Sequence, residues 1–284
     1  MYNLLRFHQL YVALFIWILV IYSSNVYGQR VYATTQETDN SLLASVNNPS
    51  RAVDANYTNY STLNISVGLI GLLFAQQNLQ FTGALRPRPT APIIIKFGSG
   101  NTLLGLVNQI TIQRSNDGID GTFGTAYTST TLAALITTNG GANATEVSIP
   151  VPGSSEVSDG LRFRLSTTLG IAVSARLYYA FFIAPPIFVN TSIAICEGEI
   201  GFIEINNFQS NYTYRLYDSL TGGNLIASST SQLISFNAAN LTSGNYYVEA
   251  VETATNFSSS RTLIQITKYP KPGNPAIGIN INQD

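Results

Sequence analysis

Histidine and cysteine are nearly absent from this chain of 284 residues, which has one of each, His8 and Cys196. His8 lies in an N-terminal stretch laid out like a secretory signal peptide. Arg6 gives the positive start, and Leu10 to Ile21 (LYVALFIWILVI) form an unbroken apolar run. Ser23, Ser24 and Asn25 lead into Val26, Tyr27 and Gly28, a small-residue cleavage site before Gln29. Cleavage there leaves a mature chain with no histidine and one thiol. Most hydrolase triads, zinc sites and thiol redox pairs are thereby excluded. A single cysteine also excludes an internal disulfide, so the fold is held by packing.

Charge is equally scarce. Charged residues make up 10% of the chain, and the formal net charge is −1. That balance offers no basic face for nucleic acid. The apolar run from Leu10 covers about 12 residues, short of the roughly 20 that a helix needs to cross a bilayer. It therefore reads as a cleaved signal rather than a retained anchor, with no membrane span after cleavage. No cysteine follows it to carry a lipid.

What is abundant is Ser, Thr, Asn, Gly and Tyr, with β-branched and aromatic residues that suit pleated surfaces. Period-two alternation recurs in Ile110–Ser115 (ITIQRS), Leu161–Leu165 (LRFRL), Tyr212–Tyr217 (YTYRLY) and Tyr246–Val251 (YYVEAV). Turn signals separate the runs at Asn116-Asp-Gly, Asn139-Gly-Gly, Pro152-Gly, Asp159-Gly, Thr221-Gly-Gly-Asn and Ser243-Gly-Asn. No long amphipathic helix is expected. The chain reads as all-β.

Pro185 and Pro186 end the strand-like run Ala175 to Ile183 (ARLYYAFFI), because proline lacks the amide proton that a central strand needs. The expected organisation is a signal peptide over 1–28, a first sandwich over 30–184 and a second over 186–268. A proline-rich linker follows over 269–284. Within it Pro275–Asn280 (PAIGIN) echoes Pro186–Asn190 (PIFVN), which reads either as the start of a further repeat or as a disordered natural terminus. The apolar segment Val67 to Ala75 (VGLIGLLFA), interrupted by Gly68 and Gly71, is expected to be a buried strand or connection. It is too short to span a membrane, so that reading is favoured over membrane insertion, and an exposed partner-binding patch is the other alternative.

The second sandwich carries several motifs in order: Ile195-Cys-Glu-Gly-Glu, Tyr212-Thr-Tyr-Arg-Leu-Tyr-Asp, Leu220-Thr-Gly-Gly-Asn-Leu and Ser243-Gly-Asn-Tyr-Tyr-Val-Glu-Ala-Val, closing on Ser260–Thr267. This set resembles the immunoglobulin-like repeats of large secreted and surface proteins of gliding bacteria. The chain departs from those repeats at Leu216, where they often place tryptophan, and it lacks a second cysteine near Asn256. Cys196 is therefore unpaired and is expected to be a small buried residue.

In the first sandwich, Asn48–Ser61 (NPSRAVDANYTNYS) and Ile110–Gly118 (ITIQRSNDG) are similar to two motifs of galactose-binding-like jelly rolls of the discoidin and coagulation-factor C type. The segment as a whole resembles the N-terminal module that precedes the immunoglobulin-like repeats in those bacterial surface proteins. The resemblance implies a jelly-roll sandwich whose early loop often holds a structural calcium ion.

Read directly, Asp54, Asn56 and Thr58 alternate along that loop and offer hard oxygens suited to Ca²⁺. The same spacing also describes an Asx-turn in which the side chains cap backbone amides. Ala55 stands where a glycine would permit a positive φ, which favours the Asx-turn over the ion, and no other cofactor is expected. Asp117 and Asp120 form a carboxylate pair beside two glycines, and a solvated turn is favoured there over calcium ligands or a glycosidase acid/base pair. Tyr57 and Tyr60 flank the first loop among polar residues and are the candidate ligand-binding residues, although packing of one or both rings beneath the loop as core residues is the favoured alternative.

The reading that unites these features is a non-enzymatic protein, secreted or held at the cell surface. It would carry an adhesion or binding head on an immunoglobulin-like spacer, with an extracellular glycan or surface protein as partner. A carbohydrate-binding module is the alternative from a binding class, and a glycan hydrolase is the alternative from an enzyme class. The exported chain is expected to begin at or near Gln29, and N-terminal sequencing of secreted protein checks this. A mature chain that still contains Trp17 would show the apolar run to be an anchor.

Overall fold

The computed structural model describes residues 29–54, 56–66, 73–118, 120–153, 159–167, 172–271 and 273. The expected signal peptide, the first six residues of the Val67–Ala75 segment and the PAIGIN segment lie outside the described residues. Within them the chain is built almost entirely of strands, as its alternation predicts.

Two sheets face each other in the first sandwich. One runs in the order β3 (Ala44–Asn47), β4 (Ser61–Ile65), β10 (Val173–Ile183), β6 (Ile93–Gly98) and β8 (Glu146–Val151), and β1 (Arg30–Tyr32) also pairs with β10. The other runs β2 (Thr35–Asn40), β5 (Leu73–Gln80), β9 (Gly160–Thr167) and β7 (Ile110–Ser115). All these pairings are antiparallel. Ile110, Ile112, Leu161, Phe163 and Leu165 point into the shared core, and Arg162 and Arg164 lie on the outer face over Phe123 and Phe74. One helix, α1 (Ser129–Gly140), interrupts the strands. It buries only Leu132 and Ile136, one turn apart in a Thr-rich segment, so it shows little amphipathic pattern in the sequence.

The second sandwich places β11 (Ser192–Cys196), β17 (Thr262–Tyr269), β16 (Gly244–Glu252), β13 (Tyr212–Tyr217) and β14 (Leu225–Ser229) in one sheet. β12 (Ile200–Glu204) and β15 (Leu233–Asn237) form the facing pair. Only β11 and β17 run parallel among these partners. Tyr212, Tyr214 and Leu216 supply the inward stripe, and Leu216 fills its place fully buried without a tryptophan. Cys196 ends the edge strand β11 and is a free, half-buried thiol, more exposed than the sequence suggests.

A bulge in β10 joins the two cores. Leu177 pairs with Phe97 and Tyr179 with Lys96, so Tyr178 is an extra residue against β6. A one-residue insertion reverses the facing of everything after it. Ala175 and Leu177 face the first core, and beyond the bulge Ala180 and Phe182 do so as well. Phe181 and Ile183 therefore face outward, where they and Ile94 join the core of the second sandwich. Each such side chain, fully buried, contributes roughly 1.5–3 kcal/mol.

Polar contacts fasten the same junction. The Arg30 guanidinium grips Glu252 with two bonds, Nε to Oε1 at 2.8 Å and Nη2 to Oε2 at 2.7 Å, and lies 4.6 Å from the Phe181 ring centre. Burial alone would push the Glu252 carboxyl up, but hydrogen bonds from Arg30 and Thr255 hold it below the usual range. The pair's contribution is thus complete above the ordinary carboxylate value of 4.5 and is lost as pH falls through the lower folded value. Arg30→Ala strands a buried carboxylate and should cost about 2–3 kcal/mol, below the usual buried-pair penalty because Arg30 is partly exposed. Denaturant unfolding at pH 7 and pH 3 checks both statements. The wild type should lose stability in acid, and Arg30→Ala should lose much less.

Candidate functional site

The loop from Asn48 to Tyr60 connects β3 to β4 at the end of the sandwich where β10 meets the second domain. Its oxygens are turned inward on the loop itself. Asp54 Oδ1 accepts the Asn56 N–H at 2.9 Å, and Asp54 Oδ2 accepts from Asn59 Nδ2 at 2.9 Å. Asn56 Oδ1 accepts both the Thr58 N–H at 3.1 Å and the Thr58 hydroxyl at 2.7 Å. These are successive Asx-turns, built because short polar side chains reach the backbone two residues on. Asp54, Asn56 and Thr58 are thus brought together as a capped turn, in which neighbouring donors, the Thr58 hydroxyl among them, engage the Asp54 and Asn56 oxygens. Among the described residues no group of three or more His, Cys, Asp or Glu side chains is arranged to hold a metal ion.

Asp117 and Asp120 lie on an exposed turn. Asp117 (φ 56°) and Gly118 (φ 78°) both take the left-handed conformation, which an Asn-Asp-Gly sequence favours. The Asp117 N–H donates to Asp159 Oδ1 at 3.2 Å, so this backbone serves to close the turn.

The two flanking tyrosines part company. Tyr60 packs beside Tyr178, with ring centres 5.2 Å apart, and the Arg176 guanidinium lies 4.9 Å from its ring centre. Tyr57 stacks on Tyr32 of β1, with centres 4.2 Å apart and planes 19° from parallel. The edge of Tyr179 meets both rings, at 5.8 Å from Tyr57 and 5.5 Å from Tyr32. Tyr57 nevertheless remains 43% exposed.

Two grooves open along the junction on either side of Arg30. One, of about 510 Å³, lies between Tyr57 and Tyr32 on the first sandwich and Gln209, Asn211 and Tyr212 on the second, with Gln29, Arg30 and Glu252 completing it. Burial, followed by the charge of Glu252, holds the Tyr212 phenol well above its usual range, so it stays protonated at neutral pH. The other groove, of about 520 Å³, is lined by Lys96, Asn139, Glu146, Tyr179, Phe181, Thr255 and Phe257 among others. A larger cleft of about 830 Å³ lies at the opposite end of β10. It is lined by Asn47, Asn64, Asn101, Gln109, Ser174 and neighbours, with no aromatic or charged side chain among the described residues.

Sequence reasoning found Tyr57 but not Tyr32, Tyr179, Arg30, Gln209, Asn211 or Glu252. Arg30 and Glu252 are 222 positions apart, and no local motif marks either. The one local signal was the double aromatic pattern of Tyr178–Phe182, which alternation alone does not assign to two different cores.

This architecture defines an all-β chain of two sandwiches, the first jelly-roll-like and the second immunoglobulin-like. Residues 184–270 match the family described as "Ig-like domain CHU_C associated", and that segment is an immunoglobulin-like domain. No curated protein matches the chain. Among solved structures, the chain is similar to the β-1,2-glucanase of Parabacteroides distasonis at 12% identity and a TM-score of 0.41. It covers 87% of this chain and spans only 40% of that one. It is also similar to the adhesin domain of Epf from Streptococcus pyogenes at 10% identity, TM-score 0.31, covering 86% of this chain and 99% of that one. A third likeness is to the family 32 CBM from C. perfringens NanJ in complex with galactose, at 13% identity and TM-score 0.30, covering 54% of this chain and 98% of that one. Among the described residues no helix is long and apolar enough to cross a membrane.

The geometry of the loop generates a direct test. With both Asp54 oxygens engaged by loop donors, millimolar Ca²⁺ and chelator should give the same melting temperature. A calcium-dependent rise that Asp54→Ala abolishes would instead assign an ion to the loop.

Proposed function

We propose that the chain is an exported, non-enzymatic adhesion module in which the first sandwich is the binding head and the immunoglobulin-like domain carries it. The observation that supports this most is the junction. A head held by Phe181, Ile183, Ile94 and the Arg30–Glu252 pair is fixed on its support, rather than tethered by a loose linker. Inter-domain motion is the default where an interface is small and polar, and this one shares a hydrophobic core. The Asp54 carboxylate caps its own loop, and Asp117 and Asp120 lie on an exposed turn that the Asp117 N–H and the Asp159 carboxylate close, which suits a scaffold better than acid/base work. Secretion follows from the signal-like N-terminus, and the partner is an extracellular glycan or a surface protein.

Beads coated with the mature chain should be retained under flow on surfaces bearing extracellular polysaccharide or cell-surface protein. The same protein should release no reducing ends from a panel of α- and β-glycans. Glycan turnover that falls on Asp117→Asn or Asp120→Asn would replace this reading with the hydrolase.

A further inference from the structure

We propose that the groove between Tyr57 and Asn211 is a composite binding site for an uncharged saccharide, completed only when the two sandwiches are joined. The inference rests on the reading of the chain as a binding module and names a ligand class and a place for it.

One wall is an aromatic platform. Tyr57 is stacked on Tyr32 and buttressed by the edge of Tyr179, so its ring is held before any ligand arrives. Its position is fixed by two other rings, yet 43% of it stays exposed. A ring covered on one side and open on the other offers a flat face whose negative quadrupole suits the polarised C–H groups of a pyranose. Because the ring is already ordered, binding costs little side-chain entropy.

The opposite wall comes from the second sandwich and is made of amides. Among the described residues, the side chains of Gln209 and Asn211 make no hydrogen bond, although both line the groove. Each carries two donors and an acceptor, a set that matches vicinal hydroxyls. At the base lies Gln29, which is 2% exposed. Its Nε2 donates to the Tyr214 hydroxyl at 2.7 Å and to the Asn207 carbonyl at 3.1 Å, and its Oε1 is buried without a partner. An orphaned buried acceptor costs free energy that a hydroxyl donor relieves.

Charge selects the ligand class. Among the described residues the charged side chains lining this groove are Arg30 and Glu252, and they neutralise each other through two short bonds. An acidic sugar would have to compete with Glu252 for Arg30 and break the clamp that shapes the groove, so a neutral one is favoured. The volume of about 510 Å³ falls within the usual range for small-ligand sites. The larger cleft at the far end of β10 has amides and hydroxyls but no ring face among the described residues, and for that reason ranks second.

The test uses the whole mature chain on an array of immobilised neutral oligosaccharides ending in galactose, glucose or mannose, beside sialylated and sulfated counterparts. Neutral glycans should be retained and acidic ones not. Tyr57→Ala and Asn211→Ala should each weaken the best neutral hit at least tenfold, and Tyr60→Ala should change it less than twofold. Asn211 is exposed and lies on the other sandwich, so its variant tests the groove without touching the aromatic stack. Absence of any neutral hit, a preference for acidic glycans, or binding indifferent to both Tyr57→Ala and Asn211→Ala overturns the proposal. Retention of coated beads on a protein surface, unaffected by those two variants, would keep the adhesion reading and remove the groove.

Discussion

The extra residue at Tyr178 is the constraint on which the rest of the molecule depends. Strands place side chains alternately on two faces, and a regular β10 would send Tyr179, Phe181 and Ile183 into the same core as Leu177. The bulge exchanges them for Ala180 and Phe182. Three consequences follow together. The first core receives a small residue beside a large one, the outer face of the sheet becomes apolar where the second sandwich sits, and Tyr179 reaches the surface beside Tyr32 and Tyr57. A bulge is usually described as a local defect in pairing. Here it fixes where the second sandwich attaches.

Hydrophobic contact alone would leave orientation loosely specified, because apolar surfaces attract without direction. The Arg30–Glu252 fork supplies direction, since two parallel bonds between planar groups permit few relative positions. It is a costly device. Glu252 must be dehydrated, and the hydrogen bonds around it outweigh that burial and hold its carboxyl below the usual range. Thr255, from the turn after β16, donates to the same carboxylate, so the support shapes its own half of the clamp.

Much of the fold was legible in the sequence because it is written locally. Leu161, Phe163 and Leu165 alternate with arginines, Tyr212, Tyr214 and Leu216 form an inward stripe, and Asn116-Asp-Gly turns the chain through two positive φ angles. Helix α1 escaped notice because two buried residues in twelve leave no readable period. The groove was only half legible. Tyr57 is conspicuous as an aromatic in a polar loop, but its meaning depends on Tyr32, Tyr179 and Asn211, which come from three distant segments. Tyr60 looks identical in sequence, yet it packs against Tyr178 and Arg176 instead. Periodicity predicts which face a residue takes within a strand, and it has no access to the register slip that decides which rings meet.

The polar floor of the junction ties the two walls of the groove to one atom. The Tyr214 hydroxyl accepts from Gln29 Nε2 at 2.7 Å and from the Gln209 N–H at 2.9 Å. A phenol oxygen has two lone pairs, so both bonds can form at once without competition. Gln29 belongs to the first sandwich and Gln209 to the second, so the position of the amide wall is set against the residue that leads into β1, the strand that carries Tyr32 behind Tyr57. Asn207 repeats the connection. Its amide donates to the Pro185 carbonyl at 3.1 Å and accepts from the Ile187 N–H at 2.8 Å, which fastens the proline hinge to the loop before β13. Prolines at that point end a strand and invite a flexible linker. The hydrogen bonds around Asn207 and Tyr214 remove that freedom, and this is why two sandwiches joined through Pro185 and Pro186 hold a groove between them.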